Sequence, residues 1–356
     1  MTEKFVIRGD ATRPPEELIE AYNRGMRNYW HPVAREIDVP ADKPVAVRLL
    51  DEEVLLCRLD GSVRALSNIC RHFQARLSDG TLEHGCSRFK GDFVRCSYHG
   101  WAFAGDGACV DIPQLPPERQ IPPAARIDSY LVDVRFGLIW VCLSKEPKSP
   151  LPDFPECQAE GMHATPMQYS QPWPASVFRM VQSALDDYHF PWLHEGILGN
   201  RNQPMPPTRN ITTSDHRVIS KFTTEQPANV TNAQEQNSPD NALEKSTVDY
   251  EMVVDLPNII RLIKRNEGGT YVVCFFPTPI AFNETGIFWQ VVRSYGLGSE
   301  EEKRIVELET LIQNQDKDHV GRQKMWTMRP FPIAGADDAI MAYLKGLSDL
   351  DLPSNL

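Results

Sequence analysis

The chain has 356 residues, 48 of them acidic against 37 lysines and arginines, giving a formal net charge of −11. That sign excludes a general nucleic-acid binder, which needs basic surface against phosphate, and the longest apolar run, 136–143, is far too short to span a membrane. With 41% apolar and 24% charged residues, the composition is that of a soluble globular protein of two domains.

The opening MTEKFVIRGD lacks an apolar signal region, which predicts a cytoplasmic protein. Eight cysteines in that compartment are expected reduced, buried or metal-bound rather than disulfide-linked. The 29 prolines predict a loop-rich fold. Residues 15–28 (PEELIEAYNRGMRN) carry a helix after a Pro-Pro start, ended by Trp30-His31-Pro32, and residues 1–43 are expected to form an N-terminal helical segment that packs on the domain at 151–356. From 44 to about 143 the chain turns to short β-like pieces, VAVRLL, EEVLLCRLDGSVRAL and LVDVRFGLIWVCL, with Asp60-Gly61 as a hairpin signal. Residues 44–150 therefore form an all-β domain, and the Pro-rich, charged 145–156 reads as a linker. Residues 151–356 read as an α+β domain. It has a helix at about 176–189, long polar loops, strands near 246–255, 259–264, 270–279 and 285–295, and a helix at about 299–326. The stretch 226–245 has the composition of a mobile loop.

Two mixed pairs stand in the β domain: Cys70-Arg71-His72 and Cys96-Ser97-Tyr98-His99. Zinc fingers usually set two cysteines together and then two histidines. Here each tight pair mixes a thiolate with an imidazole. If the cysteines bind one iron and the histidines another, a [2Fe–2S] centre of the Rieske arrangement results, in which imidazoles replace two thiolates and raise the potential. A zinc site, or four unrelated residues, is the rival reading. Cys86 is a plain thiol rather than a further ligand.

CSYHGW and the trailing GACVDIPQ make the sequence resemble the Rieske non-haem iron oxygenases, a likeness that also covers NYWHPVA at 28–34, RFGLIWVCL at 135–143 and the late helix. The first loop departs from the family, reading CRHFQARLSDG where Cys-Pro-His-Arg is common, and an insertion about EHGCSRFKGDF lengthens the gap between His72 and Cys96 to 23 residues.

In 182–194, QSALDDYHFPWLH, the residues Asp186, His189 and His194 form a D-x-x-H-x-x-x-x-H pattern. At about 100° per residue, Val177, Val181, Leu185 and Tyr188 share an apolar face, while Gln182, Asp186 and His189 share an adjacent flank and Asp187 points away. Pro191 interrupts the helix, so His194 can turn back toward His189. Two such histidines suit iron once a carboxylate completes a facial triad with open positions. The family takes that carboxylate from a late helix. In 299–326, Ile305, Leu308, Ile312, His319 and Gln323 lie on one stripe, with Asp316 about 20° from Ile305 and Asp318 about 220° away. A core-facing carboxylate needs a partner, which selects Asp316 over Asp318, with His319 as rival and a plain buried ion pair to Arg322 or Lys324 as the alternative role. QDKDHVGRQ matches the demethylase-type wording at Asp316 and Gln323, with Gln315 in place of an acidic residue.

The resemblance implies that Asp186 is not a ligand but bridges His99 of one subunit's cluster to His189 of its neighbour, which requires head-to-tail closure, with a homotrimer expected. The rival is that Asp186 only orients His189 within one chain. Gln182-Ser183 replaces the family's Glu-Asn. The fold implied is an all-β Rieske domain followed by an α+β catalytic domain with an antiparallel sheet and helices, helix-grip-like. The function implied is a terminal oxygenase that uses O2 and electrons from an NAD(P)H-dependent reductase, with or without a ferredoxin, and contains a [2Fe-2S] cluster and Fe(II). Such an enzyme hydroxylates or oxidatively demethylates a small organic, aromatic or heterocyclic, substrate. The length resembles the vanillate and dicamba O-demethylases, caffeine N-demethylases and pheophorbide a oxygenase, although no C-x-x-C is present. The rivals are a cis-dihydroxylating arene dioxygenase, and a Rieske electron carrier with a ligand-binding domain. The remaining features are expected to be structural: sequons at Asn210 and Asn229; His31, His84, His163 and His216; Trp173 as a packing residue; Phe275-Phe276 and Phe288-Trp289 as core.

Overall fold

The computed structural model describes residues 13–205, 207–232, 245–324, 326 and 330–354. It divides into two compact units, Met26–Pro150 and a second that joins the described residues up to Gly25 to those from Leu151 onward. No helix among the described residues is long and apolar enough to cross a membrane.

Tight turns set the strand order of the Met26–Pro150 unit. Leu50-Asp51, Asp60-Gly61 and Phe136-Gly137 each place two successive residues at positive φ, which a two-residue hairpin with the native twist demands. They join Val45–Leu49 to Glu52–Leu59, Glu52–Leu59 to Ser62–Ser67, and Ser129–Arg135 to Leu138–Cys142. The Asp60-Gly61 turn lies where the sequence puts it, whereas LVDVRFGLIWVCL, one β piece by sequence, is two strands folded at Phe136-Gly137. The six strands run in the order His31–Arg35, Leu138–Cys142, Ser129–Arg135, Ser62–Ser67, Glu52–Leu59, Val45–Leu49. Among the described residues up to 43, Glu16–Met26 (α1) is the α-helix and Glu36–Asp38 a single 3-10 turn; His31–Arg35 pairs with Leu138–Cys142 as an edge strand. A second sheet is formed by Thr81–His84, Asp92–Arg95, Ala102–Ala104 and Cys109–Asp111; the first Cys/His loop lies between Ser62–Ser67 and Thr81–His84, the second between Asp92–Arg95 and Ala102–Ala104. Leu55, Leu66, Leu77, Val94 and Phe103 pack with Cys70 and Cys96 into one core, each large side chain contributing roughly 1.5–3 kcal/mol by burial.

The other unit is built on an eight-stranded antiparallel sheet. Its path runs His163–Ala164, Glu284–Arg293, Gly269–Ala281, Ile259–Asn266, Lys245–Asp255, Arg217–Pro227, Arg209–Ser214, and Gln168–Trp173 also pairs with Glu284–Arg293. The four predicted strands are present at nearly the predicted bounds. The predicted polar loops contain a hairpin instead, Arg209–Ser214 with Arg217–Pro227, because Val218, Ser220 and Phe222 alternate inward. The predicted mobile loop begins as ordered structure: Gln226, Asn229 and Asn232 are buried, and Asn229 Nδ2 donates to Ile197 O at 2.9 Å. Residues 233–244 lie outside the described residues.

On the sheet sit Val177–Leu185 (α2), Phe190–Leu193 (α3), Ser299–Val320 (α4) and Asp338–Asp349 (α5). Ser176 Oγ caps α2 by accepting Arg179 N–H at 3.2 Å. Three glutamates in the first turn of α4 suit the positive end of its dipole. The sequence reading left α5 out, although Ala339, Tyr343 and Leu347 bury a stripe at spacing 4, and Tyr343 O–H donates to Pro257 O at 2.8 Å.

Candidate metal centres and catalytic pocket

The two Cys/His loops are built alike. Cys70 N–H donates to Ala75 O and Gln74 N–H to Cys70 O, both at 2.9 Å; Cys96 N–H donates to Trp101 O at 2.9 Å and Gly100 N–H to Cys96 O at 3.0 Å. Each loop thus closes on its cysteine, and the residue four positions on takes positive φ, Gln74 at 59° and Gly100 at 75°. Glycine takes that conformation without cost; glutamine does so against a penalty of about 1 kcal/mol. The turns bring Cys70 and Cys96 Sγ into contact and the His72 and His99 rings to 4.6 Å between centroids. Both thiols are buried while both imidazoles are half-buried, so the sulfur end lies inside and the nitrogen end toward the surface. Trp101 stacks on His72 at 4.5 Å, with planes 6° apart. His72 Nδ1 is buried with no hydrogen-bond partner, an orphaned ring nitrogen that a metal would satisfy. Burial pushes the Cys70 thiol up to about 11, so ligation here must release its proton. The four predicted residues therefore fit a [2Fe–2S] centre.

The insertion has a structural task. Its Arg88 donates to Leu115 O at 2.9 Å and Arg119 O at 3.0 Å, fixing the segment from which Gln114 Nε2 donates to His99 O at 2.9 Å. Cys86, at the tip, donates its N–H to Phe89 O.

The second constellation lies within the other unit. Here α2 ends at Leu185, and Asp186 leaves the helix at φ −92°, ψ 112°. The break therefore precedes His189 and does not come from Pro191, which sits in the first turn of α3, where a missing N–H costs nothing. Asp186 Oδ1 accepts Tyr188 N–H at 2.9 Å and Oδ2 lies 3.4 Å from His189 Nδ1. Burial opposes its charge, yet the His189 contact, the Tyr188 N–H and the Arg179 guanidinium together hold its carboxyl below the usual carboxylate range. Asp187 points away, as predicted, into a buried pair with Arg209 at 2.5 Å.

His189 Nε2 and His194 Nε2 stand 3.4 and 3.1 Å from Asp316 Oδ1. The donor atoms of the three residues all lie within 4.8 Å of one another. His194 is fully buried, and Gln315 Oε1 takes its Nδ1 at 2.8 Å. Acceptors thus hold the Nδ1 proton of both rings and leave both Nε2 lone pairs turned to the carboxylate, the donor set of a two-histidine, one-carboxylate iron site. Asp318 is exposed, as the phasing requires. The predicted stripe needs correction beyond Asp316. His319 is exposed, with Nδ1 turned to Gln315 O at 3.1 Å; α4 stops at Val320, so Gln323 leaves the helical phase and accepts from Arg179 Nε.

Around these residues is a pocket whose walls include Met180, Ser183, Phe190, Leu262, Phe275 and Ile312. Trp173 and Phe275, read by sequence as packing residues, line it. Sequence reasoning also missed Lys264, Glu309 and Gln313; the last two stand seven and three residues before Asp316 and could have been found by extending its helical phase. His31 is structural: it is fully buried, its Nε2 meets Met26 O at 2.9 Å, and burial lowers its pKa to about 4.

Two family models match successive parts of the chain. Residues 29–130 match the Rieske [2Fe-2S] domain and residues 173–347 the vanillate O-demethylase oxygenase C-terminal domain. Methylxanthine N1-demethylase NdmA of Pseudomonas putida is 30% identical over 198 residues, 54% of each chain. Protein TIC 55 of Arabidopsis thaliana is 30% identical over 59% of this chain and 39% of its own. The chain thus aligns with about half or less of the length of these two relatives. In structure, NdmA with caffeine superposes with a TM-score of 0.76 at 23% identity over 94% of this chain and 96% of its own, and dicamba monooxygenase bound to dicamba with 0.73 at 19% over 92% and 97%. These two establish a shared fold. With its [2Fe-2S] domain followed by an oxygenase domain of the mononuclear-iron type, the chain belongs to the Rieske non-haem iron oxygenases.

Proposed function

We propose that the protein is the terminal oxygenase of a two-component or three-component system, with the cluster in 44–150 and the mononuclear iron in 151–356. It takes electrons from an NAD(P)H-dependent reductase, directly or through a ferredoxin, and inserts oxygen from O2 into a small organic substrate by hydroxylation or oxidative demethylation. The observation that carries this reading is the convergence of His189 Nε2, His194 Nε2 and Asp316 Oδ1 at the end of a largely apolar pocket. An electron carrier has no use for a second such donor set. Relatives named for methylxanthine N-demethylation and for 5,5'-dehydrodivanillate O-demethylation support the demethylating direction. Cytoplasmic location and a homotrimer are part of the same proposal.

Bound iron would activate dioxygen with electrons delivered from the cluster. The chain's own residues prepare that chemistry. Asp186 and Gln315 fix both imidazoles as neutral ligands by holding Nδ1–H. Asp316 supplies the negative charge that offsets part of the metal's. Trp173, Leu262 and Phe275 keep water from the substrate side.

Anaerobic iron and sulfide analysis tests the assignment: three irons and two sulfides per chain are expected, against two irons for a carrier. A count of two in active protein would sink the oxygenase reading. Product analysis under labelled dioxygen separates monooxygenation from cis-dihydroxylation. For Gln315→Leu, loss of the His194 Nδ1 acceptor should weaken iron binding about 10–100-fold in chelator competition, with the cluster spectrum unchanged. Wild-type iron affinity would show that Gln315 does not hold the ring.

A further inference from the structure

Helix α4 presents more than the iron ligand to the pocket. Glu309, Gln313 and Asp316 follow one another at spacings of four and three, on one face, and all three line the cavity. Glu309 and Gln313 are 3% and 4% exposed. Gln313 Oε1 accepts Ser170 Oγ–H at 2.9 Å, and its Nε2 is buried with no partner. Native structures seldom bury an amide donor without an acceptor, so this N–H calls for an acceptor that the substrate would bring. Glu309 Oε1 accepts Tyr271 O–H at 2.9 Å. From the facing sheet, Lys264 Nζ donates to Thr231 Oγ1 at 3.0 Å and lies over the Tyr250 and Tyr271 rings at 5.5 and 5.4 Å. Burial lowers Lys264 to about 8 and raises Glu309, and each group's charge opposes the shift of the other. Outside the iron ligands, the pocket walls therefore carry one acid against one base.

We propose that Glu309 and Gln313 orient the substrate, and that the pair selects a neutral ring with a cis-amide edge, whose C=O accepts from Gln313 Nε2 and whose adjacent N–H donates to Glu309. The proposal rests on the oxygenase reading above and gives its substrate a chemical class. Residues four apart on a helix are neighbours, with Cβ atoms roughly 5–6 Å apart, so their side-chain ends can converge on adjacent ring atoms. The edge binds one turn from Asp316, which leaves the far side of the ring to be oxidised. A carboxylate or sulfonate in the same place would meet the Glu309 oxygens with no surplus positive charge, because Lys264 is already balanced. Such anions are disfavoured.

Calorimetric titration of the iron-loaded protein with three probes tests this without turnover. Theobromine carries a cis-amide edge, caffeine is the same ring without the N–H, and 4-methoxybenzoate is a methylated anion. Theobromine should bind at least tenfold more tightly than caffeine and about a hundredfold more tightly than 4-methoxybenzoate. Gln313→Leu should weaken theobromine about tenfold. Glu309→Leu should abolish the theobromine–caffeine difference. Glu309→Gln keeps an acceptor but leaves Lys264 unbalanced, so 4-methoxybenzoate should gain at least tenfold while theobromine changes by less than threefold. Iron and sulfide content, measured on each variant, report the mononuclear site and the cluster separately. A wild-type protein that prefers the anion, binds none of the three, or keeps the same probe ratios in Glu309→Gln overturns the assignment. Failure of the oxygenase reading would show instead as two irons per chain, whatever the probes do.

Discussion

Asp316→Ala is expected to leave the cluster spectrum intact, lower the iron count from three to two per chain and bring oxygen uptake below about 1% of wild type. The carboxylate is the anionic member of the proposed triad, and both imidazoles already point Nε2 at its Oδ1. Without it, two neutral imidazoles must hold a dication in an apolar pocket, where uncompensated charge is costly. Asp318→Ala and His319→Ala are the matched controls, two and three residues along the same helix but exposed, and both should keep three irons. Iron retained in Asp316→Ala, or lost in Asp318→Ala, would overturn the ligand assignment. The cluster loops lie in the other compact unit, so an unchanged visible spectrum in these three variants shows that unit folded and loaded.

Which parts of this were legible in sequence follows from how local each signal is. The proposed cluster ligands are spelled by near neighbours, Cys70 with His72 and Cys96 with His99, in loops closed by hydrogen bonds within five residues. Asp316 could be chosen over Asp318 because a helix turns a difference of two positions into opposite faces. The phasing failed at Gln323, where it assumed a helix that Gly321 had already ended. It also placed the break before His194 at Pro191, when the chain leaves the helix at Asp186; a proline announces itself in sequence, whereas a C-cap set by ψ of 112° does not. Lys264, Leu262 and Phe275 reach the pocket from two strands of the sheet, and a non-local wall of that kind has no period along the chain. The burial of Lys264 against Glu309 is a property of the tertiary fold, for a lysine in strand text ordinarily reads as solvent-facing.

Asp186→Asn should give the second large effect, and a different one. The variant keeps all three irons at saturating Fe(II), yet oxidation of the reduced cluster in a single turnover with substrate and O2 should slow at least a hundredfold. In the wild type Oδ1 is occupied by Tyr188 N–H and Oδ2 faces His189 Nδ1. An asparagine can satisfy Tyr188 with its oxygen but then offers N–H to N–H at His189, so the ring loses its acceptor and the site its charge. If Asp186 only oriented His189, the cost would be confined to iron affinity, about 10–100-fold, and cluster oxidation in the loaded protein would run at the wild-type rate. That outcome would refute the bridge. Whether the bridge crosses subunits is decided by mixing. Chains with Cys96→Ala lack a cluster and chains with Asp316→Ala lack the mononuclear iron, so neither should turn over alone. Co-assembled, they should regain activity only if the cluster of one chain feeds the iron of its neighbour through Asp186, and adding Asp186→Asn to the Cys96→Ala chain should remove the gain. Recovery that survives that third substitution would place the electron path elsewhere.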